Sequence, residues 1–205
     1  MSLSSRKGKL AIVFVWLACA LAFSINHWAS EALSASALAE TSLTGRPVKE
    51  IEGYRNWTKV NAEPQLMPSR VAAACAMAVS MRGTPIDGEN NPHRNKYFTV
   101  YVNDLGRDAM LNQKSPNFPE GSVIVKEKLS FKASQTPELL TVMIKHKKGF
   151  NPASGDWEYM VLDGAGMKVE ARGNLENCQA CHLGNQKTDY IFRTYLSDQT
   201  RSSLR

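Results

Sequence analysis

The segment that most constrains this chain is Cys-Gln-Ala-Cys-His at residues 178–182. The spacing Cys-x-x-Cys-His is the attachment site of a c-type haem, in which each thiol adds to a vinyl group and becomes a thioether. The histidine that follows the second cysteine supplies an axial nitrogen to the iron. The motif occurs once, so the sequence predicts one covalently attached haem c held by Cys178, Cys181 and His182.

Two other kinds of site also use closely spaced cysteines. A structural zinc site needs about four ligands and usually a second Cys or His pair, and no such pair follows residue 182. A thioredoxin-like redox dithiol is expected within a βαβ pattern, which this chain lacks. We therefore favour the haem interpretation.

The N-terminus has the pattern of an export signal. Three basic residues precede an unbroken apolar run from Leu10 to Phe23, which is shorter than the roughly 20 residues that span a bilayer. We expect residues 1–39 to be a signal peptide or, alternatively, an uncleaved membrane anchor, and residues 40–205 to form one haem domain. Haem c is attached outside the cytoplasm, so the two features together predict a location in a bacterial periplasm.

The charge of the chain says little about its partners. The formal net charge is +6 at pH 7, a mild basic excess that does not indicate nucleic-acid binding. It could help the protein to dock with an acidic periplasmic redox partner, although an ordinary solvated surface is the simpler explanation.

Alternation of apolar and polar residues predicts a β-sheet that carries short helices. Short connections between consecutive strands favour antiparallel pairing over βαβ units, and the fold class is therefore α+β. Strands are predicted over 96–103, 122–129, 139–146, 157–163 and 167–171. Helices are predicted over 70–80 and 104–112, and a short helix or turn over 174–182.

Several segments, taken in order, are typical of one known family. They are His93-Arg94 before an aromatic strand, the run Phe118 to Glu127, the strand Leu140 to Lys145, Trp157-Glu158-Tyr159, and the Cys-x-x-Cys-His motif followed by Thr188-Asp189-Tyr190. In these segments, from about Tyr54 to Leu196, the chain resembles the cytochrome P-460 family, which includes the cytochromes c′-beta. The Phe-Pro-x-Gly-x-x-x-Val-Lys-Glu pattern is the most discriminating of them.

The resemblance implies an antiparallel sheet of about five strands with a single haem c packed against it near the C-terminus. It also implies that His182 is the proximal ligand and that the distal position is open or weakly filled. Family members that oxidise hydroxylamine carry a lysine–haem cross-link and a distal carboxylate. Cytochromes c′-beta lack the cross-link and bind nitric oxide or other small gases in an apolar distal pocket.

The choice between these two branches depends on one lysine and one carboxylate. Lys126 belongs to the general Val-Lys-Glu segment, so its presence does not discriminate, and Lys114 is the candidate for a cross-link. Glu138 is the candidate distal base, with a charged residue at the start of a strand as its ordinary alternative.

Two histidines and three methionines are alternative ligands for the distal position. His93 and His146 lie in or beside polar segments, where a solvated position is the simpler interpretation. Met143, Met160 and Met167 fall on or beside predicted strands, where methionine more often fills the core. A methionine ligand would raise the reduction potential.

The sequence thus predicts a periplasmic mono-haem cytochrome that transfers electrons, binds small gases such as nitric oxide, or does both. The alternative is an enzyme that oxidises hydroxylamine, with Glu138 as general base and Lys114 cross-linked to the haem. A six-coordinate electron carrier is a third interpretation. Family members are often dimers, so the resemblance also leaves a homodimer open.

Overall fold

The structure is a computed structural model that describes residues 47–73 and 94–205. The strands are β1 (Thr58–Lys59), β2 (Gln65–Leu66), β3 (Tyr97–Val102), β4 (Val123–Leu129), β5 (Leu139–Lys145), β6 (Trp157–Asp163) and β7 (Val169–Gly173). The α-helices with defined bounds are α1 (Asp104–Leu111), α2 (Glu176–His182) and α3 (Asp198–Ser203), and residues 69–73 are also helical. Short 3-10 turns lie at Lys49–Ile51, Tyr54–Asn56, Pro152–Ser154 and Leu183–Thr188.

Some predictions concern residues outside the described ranges. These are the signal peptide or anchor over 1–39, most of the helix over 70–80, and the alternative ligand His93. Within 47–73 and 94–205, no helix is both long enough and apolar enough to cross a membrane.

The sheet is an antiparallel meander, which confirms the predicted α+β fold. Strands β3 to β7 pair in chain order, and β1 and β2 both pair with the outer side of β3. The five long strands are those that the alternation predicted. The two added strands have two residues each, too few to show any periodicity in a sequence.

Both faces of the sheet carry buried apolar side chains. The first face carries Phe98, Val100, Ile124, Met143 and Tyr159 and packs against the chain after α2. The second face packs against residues 48–57 and carries Val125, Leu140, Val142, Met160 and Leu162. Each fully buried side chain of this kind stabilises the fold by about 1.5–3 kcal/mol. Burial of the two clusters therefore stabilises the packing of a covering segment on each face of the sheet.

Helix α1 is attached to the sheet by its N-terminal cap. The Asn103 side chain accepts hydrogen bonds from the backbone N–H of Gly106 (3.1 Å) and of Val123 (3.0 Å), so one amide serves both the helix and β4. A Cβ on Gly106 would lie 2.8 Å from the Val102 side chain. The absence of a side chain at Gly106 therefore allows the helix to lie close against β3.

Strand β7 begins two residues later than the prediction of 167–171. The Asp163 carboxylate accepts hydrogen bonds from the backbone N–H groups of Met167 (2.7 Å) and Lys168 (3.0 Å). These bonds hold both residues in the turn, so that pairing with β6 starts at Val169.

Candidate functional site

The Cys-x-x-Cys-His motif lies in helix α2, and the helix brings its three functional side chains together. Cys178, Cys181 and His182 have the spacing i, i+3 and i+4, which places them on one side of a helix. All three line a single cavity between α2 and the first face of the sheet. Both thiols are half-buried there.

The walls of this cavity are mainly apolar. The sheet contributes Phe98, Val100, Ile124, Met143 and Tyr159 to them. Two segments that lie outside the long strands in the sequence complete the wall. The segment before β3 contributes Met67, Pro68 and Val71, and the segment after α2 contributes Ile191, Phe192 and Tyr195. A concave apolar site with a few convergent polar groups is typical of a cofactor pocket.

His182 is held in the orientation that a metal ligand needs. Its Nδ1 lies 2.7 Å from the backbone carbonyl oxygen of Tyr190, and since a carbonyl can only accept, Nδ1 is the donor. The proton on Nδ1 leaves the Nε2 lone pair available for iron. The rings of Tyr159 and Phe192 pack against the imidazole, with centroids 5.5 Å and 4.9 Å away.

The imidazole of His182 is neutral at neutral pH. Burial lowers its pKa to about 4, and the positive charge of Lys126 acts in the same direction. The hydrogen bond to Tyr190 opposes this shift without reversing it. A neutral imidazole is the form that binds a metal ion.

The donor set in the cavity fits a haem. Two thiols can meet two vinyl groups, and one neutral imidazole can meet the iron. Asn177, which also lines the cavity, has a buried Oδ1 with no hydrogen-bond partner among the described residues. Buried polar atoms are rarely left without a hydrogen-bond partner in a protein. The unpaired Oδ1 of Asn177 is therefore consistent with a cavity that holds a bound group.

The same donor set does not fit a zinc site. A structural zinc ion takes about four ligands. In the part of the chain that the structure describes, no group of three or more His, Cys, Asp or Glu side chains could hold a metal ion.

Lys126 is a cavity residue that the sequence analysis did not select. It lies on β4 between Val100 of β3 and Thr141 of β5, and its Nζ is 5.3 Å from the ring centroid of Phe98. The alternation along β4 could have indicated this position. It places Lys126 on the same face as Ile124, and that face proves to be the one that borders the cavity.

Glu138, the predicted distal base, does not line the cavity. It is exposed just before β5 and forms ion pairs with Lys96 (2.5 Å) and Lys128 (3.7 Å). The hydrogen bond from Lys96 is the main cause of a pKa below the ordinary value for this carboxyl. Glu138 is thus a charged residue at the start of a strand, which was the alternative to the role of distal base.

Lys114, the predicted cross-linking residue, also lies away from the cavity walls. It is exposed in the loop after α1, and its backbone N–H donates to the carbonyl of Arg205 (2.6 Å). The structure therefore brings Cys178, Cys181 and His182 together without Glu138 or Lys114.

The alternative distal ligands are placed differently from one another. His146 Nε2 lies 2.8 Å from the Glu158 carboxylate, outside the cavity. Met167 is 44% exposed, and Met160 belongs to the buried cluster on the second face of the sheet. Met143 is buried on the first face and lines the cavity.

Comparisons with known proteins agree with this geometry. A search of curated proteins finds no match for the chain. The family model for cytochrome P460 matches residues 51–193, a span that includes the sheet, helix α2 and most of the residues that line the cavity. Since this match covers well over half of the sequence, the chain belongs to the cytochrome P460 family of haem-binding cytochromes.

Proposed function

We propose that this protein is a mono-haem c-type cytochrome whose iron is held by His182 and keeps a coordination position for a small gas such as nitric oxide. The haem would be attached through thioethers to Cys178 and Cys181. The observation that carries the proposal is the convergence of these three side chains on one largely apolar cavity. A haem with one protein ligand supplies one-electron redox chemistry and an open position for ligands.

The apolar walls of the cavity favour neutral ligands, and Lys126 is the feature that would attract an anion. Among the described residues that line it there is no carboxylate, and Lys126 is the only side chain charged at neutral pH. Apolar walls exclude water and give an incoming anion little solvation. A neutral diatomic molecule loses little on entering such a cavity, which supports nitric oxide as the ligand.

Electron exchange with periplasmic redox partners is part of the same proposal. The export pattern of residues 1–39 supports a periplasmic location, with an uncleaved membrane anchor as the alternative. In that compartment the protein would report gas binding or pass single electrons, alone or as a homodimer.

Oxidation of hydroxylamine is the second candidate function, and the position of Lys126 favours it. Lys126 lines the cavity, whereas Lys114 does not, so Lys126 is the better placed lysine for a haem cross-link. The chemistry also requires a proton acceptor. Glu138 is committed to its ion pairs outside the cavity, so this candidate lacks a base among the described lining residues.

Titration of the ferrous protein with nitric oxide, beside an assay of hydroxylamine oxidation, separates the two candidates. We expect nitric oxide to change the haem spectrum of wild type and of Glu138→Gln alike, with no hydroxylamine turnover in either. Turnover by wild type that is lost in Lys126→Met would establish the enzyme instead. A low-spin spectrum that ignores nitric oxide would contradict both and indicate a six-coordinate electron carrier.

A further inference from the structure

The carbonyl that orients His182 belongs to a turn with an uncommon backbone conformation. Asp189 and Tyr190 are consecutive non-glycine residues with φ of 53° and 65°. Each residue held in this left-handed region costs on the order of 1–3 kcal/mol. Such a turn persists only where the surrounding structure fixes it.

The side chain of Asp189 fixes the turn to the sheet. Its carboxylate accepts two hydrogen bonds from Lys145 Nζ (2.8 and 2.7 Å) and one from the backbone N–H of Phe118 (2.9 Å). The Lys145 and Asp189 side chains are only 11% and 12% exposed. Charge-assisted hydrogen bonds that are shielded from water in this way are among the stronger ones in proteins.

The backbone of Asp189 is fixed as well. Its carbonyl accepts a hydrogen bond from Trp157 Nε1 (2.8 Å), and Trp157 is fully buried. Lys145 also donates to the carbonyl of Gly155 (2.8 Å). Since Lys145 and Trp157 are paired neighbours on β5 and β6, the turn is tied to one point of the sheet.

Tyr190 transmits this position to the histidine. It directly follows Asp189, and its carbonyl lies 2.7 Å from His182 Nδ1. A displacement of Asp189 therefore moves the acceptor of the histidine proton. The strength of that hydrogen bond sets how much negative charge the imidazole carries and how strongly it donates to a metal.

We infer that Lys145 and Asp189 are positioning residues for the proximal histidine, setting its donor strength through the Tyr190 carbonyl. The inference rests on the ligand role of His182 in the proposed function. Neither side chain is among the residues that line the cavity, so the pair acts through the backbone turn and not by contact with the bound group.

The Fe–His stretching band of the ferrous protein, recorded by resonance Raman spectroscopy, tests this directly. In Asp189→Asn the carboxylate charge that holds Lys145 is lost while the shape is kept. We expect a weaker hydrogen bond to His182, a lower Fe–His frequency and a higher midpoint potential than in wild type. Lys145→Arg keeps the ion pair with Asp189, so we expect this variant to retain most of the wild-type Fe–His frequency.

Two further variants keep the test decisive. Lys145→Met/Asp189→Asn removes both charges together, so no uncompensated charge stays buried if Asp189→Asn alone fails to fold. Arg172→Gln is the matched control, because it breaks the ion pairs with Glu158 (2.8 Å) and Glu50 (2.6 Å) without touching the turn. It should lower the melting temperature and leave the Fe–His frequency unchanged.

The possible failures can be told apart. If wild type has no Fe–His band, the iron is not a five-coordinate ferrous haem with His182 as its one protein ligand, and it is the proposed function that is wrong. If wild type has the band and both Asp189→Asn and the double variant keep its frequency and potential, while only losing thermal stability, then the ion pair is merely structural and the inference is overturned.

Discussion

At the scale of single residues, two lysines of the same strand differ in whether they border the cavity. Lys126 and Lys128 are both on β4 and share the first face of the sheet. Lys126 lines the cavity, whereas Lys128 is ion-paired with Glu138 outside it. Two lysines on the same face of one strand thus have different surroundings, and the positive charge of Lys126 is the one that acts on the pKa of His182.

Removing the charge of Lys126 should lower the reduction potential of the haem. A positive charge near the site disfavours the ferric form, which carries one more positive charge than the ferrous form. We expect Lys126→Met to shift the midpoint potential downward by on the order of tens of millivolts, measured by spectroelectrochemical titration. Lys128→Met is the control on the same strand. An equal shift in both variants would contradict a specific role for Lys126.

At the scale of elements, Asn103 is the residue that joins α1 to the sheet. Its side chain accepts hydrogen bonds from Gly106 and Val123 and donates to the carbonyl of Gly121 (2.9 Å). Asn103→Ala should lower the free energy of unfolding by about 1–2 kcal/mol, as the loss of a helix cap does. Urea denaturation measures this. Asn112→Ala, at the exposed end of the same helix, should cost much less.

The ion pair between β6 and β7 should make stability depend on pH. The hydrogen bond from Arg172 is the main cause that lowers the pKa of Glu158 in the folded protein. The stability that this carboxylate contributes is then present above its unfolded pKa of about 4.3 and is lost as pH falls through the lower folded pKa.

Urea midpoints measured from pH 7 down to pH 3 check this dependence. Wild type should exceed Glu158→Gln in stability at pH 6, and the difference should shrink toward zero at the acid end. Glu120→Gln, at an exposed turn position, controls for the change in net charge. A difference between wild type and Glu158→Gln that does not vary with pH would contradict the argument.

Patterns within short stretches of sequence predicted the strands and helices well. They did not predict the contacts between residues that are far apart in the sequence. Alternation found the five long strands, and the Cys-x-x-Cys-His motif identified the three residues that α2 brings together. The contact of Lys145 with Asp189 joins residues 44 positions apart, and no periodicity within either segment could reveal it. Glu138 was a candidate because of its place in the sequence, but only the pairing of strands shows which groups surround it.

At the scale of the whole molecule, we expect attachment of the haem to depend on export of the chain. Haem c is attached outside the cytoplasm, so a chain that lacks residues 1–39 should accumulate in the cytoplasm without covalent haem. Expression of the full chain and of the shortened chain in the same bacterial host, followed by haem staining of a denaturing gel, tests this. A haem-stained band from the shortened chain would contradict the predicted need for export.

Covalent attachment of haem to Cys178 and Cys181 can be measured as the intact mass of the exported protein under denaturing conditions. We expect the mass of the polypeptide plus one haem, a mass that Cys178→Ala/Cys181→Ala lacks. Digestion should place the added mass on the peptide that contains residues 178–182. A polypeptide mass without haem, or haem attached at another segment, would contradict the assignment of this cavity as a haem c site.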